Sequence, residues 1–183
     1  QRRSDAVVHR VMVLTRTRYA SLVVVLIWTS VTHASPDDPI RAGASAPEIR
    51  IDRYLRAPEN APRTLGELRG RWVMLDFFAT WCPACSGNVD HMNQLAGSIP
   101  TEELVVISIC ADGASTAERF LERRPLRTWV ALDDGGSTTA AYQIGGYPQA
   151  VLIDPEGTIS SVVRPDRLEA GMLRSLIDGG IVA

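Results

Sequence analysis

Two periodicities alternate along the chain. Trp72-Val73-Met74-Leu75-Asp76-Phe77-Phe78 and the segment from Leu104 to Ile109 are short, almost continuous apolar runs. Runs of that length read as strands covered on both faces. Between them, Val89, Met92 and Leu95 recur at helical spacing, so a helix is expected from Cys82 to Leu95. A helix over Thr116 to Arg124, a strand over Trp129 to Leu132 and a short helix over Ser137 to Gln143 follow. Ala150 to Ile153 and Ile159 to Val163 read as two strands, joined by the tight turn Asp154-Pro155-Glu156-Gly157. A last helix is expected from Asp166 to Asp178, with Asp166 as N-cap and Gly179 closing it. Upstream, Glu48-Ile49-Arg50-Ile51 alternates like a short strand. Pro58 and Pro62 make residues 56–63 a loop, and Thr64 to Leu68 suggests one capped helical turn before Gly70. Strands alternating with helices imply an α/β protein built from right-handed crossovers, with helices on both faces of the sheet. The closing strand-turn-strand breaks the alternation, so a mixed sheet is expected.

The N-terminus has a different character. Basic residues at Arg16 and Arg18 precede an apolar run from Tyr19 to Val31, then Thr32-His33-Ala34 and the polar Ser35-Pro36-Asp37-Asp38. That order matches a secretory signal peptide cleaved after Ala34, or else a membrane anchor. Either reading places the domain outside the cytoplasm. The expected division is residues 1–34 as signal peptide or anchor, 35–47 as a linker, and 48–183 as the folded domain. Five arginines and one aspartate in residues 1–34 leave 14 basic and 20 acidic side chains beyond them, a net charge near −6. An acidic surface argues against nucleic acid as a partner. All 19 basic residues are arginine; the chain has no lysine.

Only three cysteines occur, Cys82, Cys85 and Cys110. One close pair and one extra thiol do not make a disulfide framework. Thiol exchange needs a thiolate and a second thiol near enough to resolve the mixed disulfide. Two intervening residues put both cysteines on the first turn of a helix. There the free N–H groups and the helix dipole favour charge on the first sulfur. Pro83 suits the first helical position, and Ala84 adds no charge to the thiolate, which weighs against a strong oxidant. Cys82 is therefore the expected nucleophile and Cys85, more buried, the resolving thiol. Asp76 lies inside an apolar strand six residues before Cys82. Burial should raise its pKa toward neutrality and suit it to accept the Cys85 proton.

The stretch Leu75-Asp76-Phe77-Phe78-Ala79-Thr80-Trp81-Cys82-Pro83-Ala84-Cys85 resembles the thioredoxin superfamily, and within it the TlpA/ResA-type envelope oxidoreductases. Ala141-Tyr142-Gln143-Ile144-Gly145-Gly146-Tyr147-Pro148-Gln149-Ala150, continuing to Gly157, matches as well. The resemblance spans roughly residues 43–178. It implies a thioredoxin-like fold with an N-terminal extension and a central helical insertion from Asp112 to Arg127. It also implies a cis Pro148 facing the dithiol, a Tyr147 backbone that pairs with an extended substrate, and a Trp81 that covers the cysteines. Pro83 and Ala84 would belong to the same substrate-contacting surface. The implied activity is reduction of exported proteins, such as cytochrome c precursors; a monomer without a cofactor is expected. A membrane thiol-transfer protein would supply the electrons. Thioredoxin itself places a buried lysine beside the acid; here Ser108 takes the matching strand position.

Other readings make different demands. A zinc site would need two more ligands, and only Cys110 and His91 are at hand. A purely structural disulfide would close a very small loop and stabilise little. A peroxiredoxin would carry Pro-x-x-x-Thr-x-x-Cys before its reactive thiol, where this chain has Asp76 and Ala79-Thr80-Trp81. A copper-carrying module of the same fold would use C-x-x-x-C and a downstream His, and none follows His91. Cys110 is expected to be a packing residue and His91 a surface residue.

Overall fold

The computed structural model describes residues 39–179. The segment read as signal peptide or anchor lies outside the described residues. Six strands form one sheet in the order β1-β4-β3-β2-β5-β6: β1 Tyr54–Arg56, β2 Trp72–Phe78, β3 Leu104–Cys110, β4 Trp129–Leu132, β5 Gln149–Ile153 and β6 Ile159–Val163. Strands β2, β3 and β4 run parallel, while β1, β5 and β6 pair antiparallel with their neighbours. The sheet is mixed, and the fold is thioredoxin-like. Among the described residues, five α-helices accompany it: α1 Pro83–Gly87, α2 Val89–Gly97, α3 Ala114–Arg123, α4 Ser137–Ala141 and α5 Ala170–Ile177.

Strand alternation sorts the apolar side chains into two cores. Met74 and Phe78 of β2 join Leu104, Val106 and Cys110 of β3, Val130 and Leu132 of β4, and Ala150 and Leu152 of β5. Helices α1, α2, α3 and α5 add Cys85, Val89, Met92, Leu95, Ala117, Leu121 and Leu173 to that core. The odd-numbered neighbours Val73, Leu75, Phe77, Val105, Ile107 and Ile109 face the second core with Ile49, Ile51, Leu65, Leu68 and Tyr142. Position 76 therefore shares a face with residues 74 and 78, on the side of the sheet that α1 covers.

Several local expectations are corrected. Glu48–Ile51 forms no ladder strand; Arg50 makes one isolated bridge with Thr64, and Ile49 and Ile51 anchor the segment by burial. The turn at Thr64–Leu68 is a 3-10 turn over Gly66–Leu68. The helix expected from Cys82 to Leu95 is two helices meeting at Asn88, whose N–H donates to the Cys85 carbonyl (3.1 Å). Asp166 does not cap the last helix. Pro165 opens a 3-10 turn there, Asp166 pairs with Arg164 (3.1 Å), and Glu169 is the N-cap. Residues 43–46, within the stretch read as linker, run beside β6: Gly43 N–H donates to the Ile159 carbonyl (2.8 Å), and Ile159 N–H donates to the Ala44 carbonyl (2.8 Å). Among the described residues, no helix is long and apolar enough to cross a membrane.

The turn between β5 and β6 depends on Gly157, which sits at φ +82°. A side chain there would be strained and would also meet the Arg69 guanidinium. Gly157→Ala should lower the unfolding free energy by about 1–2 kcal/mol, the cost of forcing a left-handed residue. Urea denaturation of the variant and the parent protein measures it.

Candidate active site

Local chain geometry builds the dithiol turn. Strand β2 ends at Phe78, and Ala79 accepts from the Cys82 N–H (3.1 Å), which tightens the loop. Thr80 N–H donates to the Asp112 carboxylate (2.6 Å), fixing the loop to the end of β3. Cys82 has extended backbone angles and occupies the N-cap of α1, with Pro83 as the first helical residue. The Cys85 N–H donates to Cys82 Sγ at 3.1 Å. The two cysteines are joined as a disulfide, with Cα atoms 5.3 Å apart.

Both cysteines are 5% exposed, so the expectation that Cys85 is the more buried of the two is not met. The residues around them differ sharply. Trp81 is 69% exposed and packs edge-on against the Tyr147 ring, with centroids 5.8 Å apart. Pro83 and Ala84 are also exposed, and Tyr147 is half-buried. The Tyr147–Pro148 peptide is cis and Pro148 is buried. A rim of Trp81, Pro83, Ala84 and Tyr147 thus surrounds a sheltered disulfide.

Beneath it lies a small cavity lined by Asp76, Phe78, Cys85, Asn88, Val89, Met92, Leu126 and Pro148. Its volume of about 10 Å³ is close to what one water needs. Asp76 is fully buried, and desolvation pushes its carboxyl up to about 7. The opposing influence is one hydrogen bond: Ser108 Oγ donates to Asp76 Oδ2 at 3.0 Å. Ser108 is the register partner of Asp76 across β2 and β3. Ser108 Oγ also meets Thr128 Oγ1 at 2.8 Å, so three buried polar groups form a chain through the apolar face. Hydroxyls without formal charge offset the carboxylate less than an ammonium would.

Sequence reasoning placed Asp76 and Ser108 but missed Thr128, Asn88 and Asp112. Thr128 carried a signal: it is the polar member of an alternating set with Val130 and Leu132. The other two depend on tertiary contacts that spacing does not reveal. Cys110 packs in the first core, fully buried, and burial pushes its thiol up to about 11. It is a packing residue. His91 is a correction. It is half-buried, and its Nε2 donates to the Leu168 carbonyl (3.0 Å), joining α2 to the segment before α5. Among the described residues, no group of three or more His, Cys, Asp or Glu side chains could hold a metal ion.

A thioredoxin-like sheet carrying a C-x-x-C disulfide at a helix start, above a buried carboxyl and beside a cis-proline, defines a thiol–disulfide oxidoreductase. The chain belongs to the AhpC/TSA family, whose model matches residues 42–162. Among its relatives, the thiol-disulfide oxidoreductase ResA of Halalkalibacterium halodurans is 30% identical, over 79% of this chain and 83% of that protein. ResA of Oceanobacillus iheyensis is 28% identical over 81% of this chain and 80% of its own length. A solved structure named for a DsbE thiol:disulfide interchange protein of Chlorobium tepidum superposes with a TM-score of 0.61 at 27% identity. It covers 75% of this chain and 96% of that one.

Burial of Asp76 has a consequence for stability. In the unfolded chain its carboxyl ionises near 4; in the folded chain it holds its proton to about 7. The raised pKa means that folding is weakened as pH climbs from about 4 to about 7, and the loss levels off above that. Asp76→Asn should therefore be more stable than the parent at pH 8, by about 2–4 kcal/mol, with the gap shrinking toward pH 4. Denaturant curves of the oxidised proteins at the two pH values read it directly.

Proposed function

We propose that this protein works outside the cytoplasm as a reductant of disulfides in exported proteins, with cytochrome c precursors as the substrate class. The observation that carries the mechanism is the shared cavity: Cys85 and the raised-pKa carboxyl of Asp76 line the same small space.

Reaction begins from the reduced dithiol. The Cys82 thiolate attacks one sulfur of the substrate disulfide, forming a mixed disulfide and expelling the other substrate sulfur as a thiolate, which takes a proton from water. The helix start and the Cys85 N–H favour that thiolate. Asp76 then takes the proton from the Cys85 thiol, directly or through one water in the cavity. The Cys85 thiolate attacks Cys82 Sγ, the mixed disulfide breaks, and the second substrate sulfur leaves as a thiolate, which is protonated by water while Asp76 returns its proton to solvent. The product on the enzyme is the Cys82–Cys85 disulfide seen here. A membrane thiol-transfer protein would return two electrons to it. Pro148 and the Tyr147 backbone border the dithiol as a platform for an extended substrate segment, with Trp81, Pro83 and Ala84 as the contact rim.

Export is supported by the order of charged, apolar and small residues before Ala34. Reduction of exported proteins is supported by the resemblance to envelope oxidoreductases and by relatives named ResA and DsbE.

Replacing Cys85 with Ser should stop turnover but leave capture intact. Cys85→Ser should then accumulate covalent complexes through Cys82 that Cys82→Ser does not form, resolved by mass spectrometry of envelope fractions. Cytochrome c precursors among the captured proteins support the substrate assignment; a broad set of unrelated secreted proteins would replace it with general disulfide handling. Asp76→Asn should slow insulin reduction near pH 7 by about 10²-fold, the scale of a lost general base.

A further inference from the structure

Helix α3 carries a charge arrangement at odds with the rest of the molecule. The chain beyond residue 34 is acidic by about six charges. Yet Arg119, Arg123 and Arg124 converge on one groove of about 330 Å³, which Thr80, Ser86 and Phe120 also line. Thr80 and Ser86 bracket the dithiol in sequence, two residues before Cys82 and one after Cys85. The groove thus borders the loop and the helix that carry the two cysteines.

The helix is held firmly in that place. Ala117 and Leu121 are buried in the first core, and the Phe120 ring packs against Phe78 with centroids 5.8 Å apart. The guanidiniums themselves are exposed and largely unengaged. Among the described residues, Arg123 and Arg124 enter no ion pair, and Arg119 reaches only the Thr116 hydroxyl (3.3 Å). The carboxylates of the same helix offset them only in part. Glu118 is paired with Arg53 (3.0 Å), and Glu122 is left as the one carboxylate of α3 outside an ion pair among the described residues, set against three arginines. Arg119 and Arg123 stand one helical turn apart, a spacing at which like charges repel. A local excess of positive charge in a chain that is acidic overall fits an anionic visitor. Arginine suits carboxylates in particular, because its planar fork can bond both oxygens.

We infer that this groove is a subsite for carboxylate side chains flanking the substrate disulfide, with Arg119, Arg123 and Arg124 as specificity-determining residues. The inference rests on the reductase reading above and names which disulfides that activity prefers. Attraction across the groove would speed encounter and hold the segment over Cys82, so the effect belongs in kcat/KM.

Two synthetic peptides test it, sharing one intramolecular disulfide but flanked by Asp and Glu in one and by Lys in the other. At low salt the acidic peptide should be reduced about tenfold more efficiently, the scale of a steering effect from a few charges. The preference should shrink as salt shortens the screening length. The triple variant Arg119→Glu, Arg123→Glu, Arg124→Glu should reverse it and reduce the Lys-flanked peptide faster than the parent protein does, a gain that misfolding cannot produce. Equal efficiencies in the parent protein, or an acidic preference that survives the reversal, would overturn the subsite while leaving the reductase reading standing. Failure to reduce either peptide would overturn both.

Discussion

A carboxyl group buried without a cationic partner is the constraint around which the site is arranged. Asp76 sits in the central strand of a six-stranded sheet, and strand alternation turns it toward α1. Among the described residues, no cationic group on that face offsets a full negative charge, so the group keeps its proton to near neutrality. The same alternation brings Ser108 opposite Asp76 and aligns Thr128 beyond it. A cost to the fold thus becomes a proton acceptor in the cavity where a resolving thiol needs one.

The residues above the carboxyl answer a different requirement. Cys82 must ionise and still be reached by a protein substrate, so it stands at a helix start with a hydrogen bond to its sulfur. Shelter comes from the loop that Asp112 clamps and from the buried Pro148; access comes from the exposed rim of Trp81, Pro83 and Ala84. Without a lysine beside the acid, the hydroxyls of Ser108 and Thr128 supply the only buried polar contacts to the Asp76 network among the described residues. Hydroxyls lower a carboxyl pKa weakly, which leaves Asp76 poised where a salt-bridged acid would be permanently ionised.

Much of this was legible in the sequence because burial on both faces leaves few alternatives. The runs at Trp72–Phe78 and Leu104–Ile109 are too short for buried helices and too apolar for loops, so their strands are readable. A single acid at position 76 inside such a run stood out for the same reason. The break at Asn88 was hidden, because Val89, Met92 and Leu95 keep helical spacing whether or not the helix continues from Cys85. The start of α5 was misplaced because Asp166 looks like a cap in sequence but spends its carboxylate on Arg164. His91 was misjudged because the carbonyl it reaches lies 77 residues away. Local pattern reports burial and turn chemistry well; it does not report which distant backbone atom a side chain will meet.

The most direct measurement is the titration of Asp76 itself, followed through the carboxyl carbon chemical shift of ¹³C-labelled oxidised protein. A midpoint near pH 7 is expected. A midpoint at the ordinary aspartate value, near 4, would show a carboxyl ionised throughout neutral pH and would contradict its place as proton acceptor for Cys85.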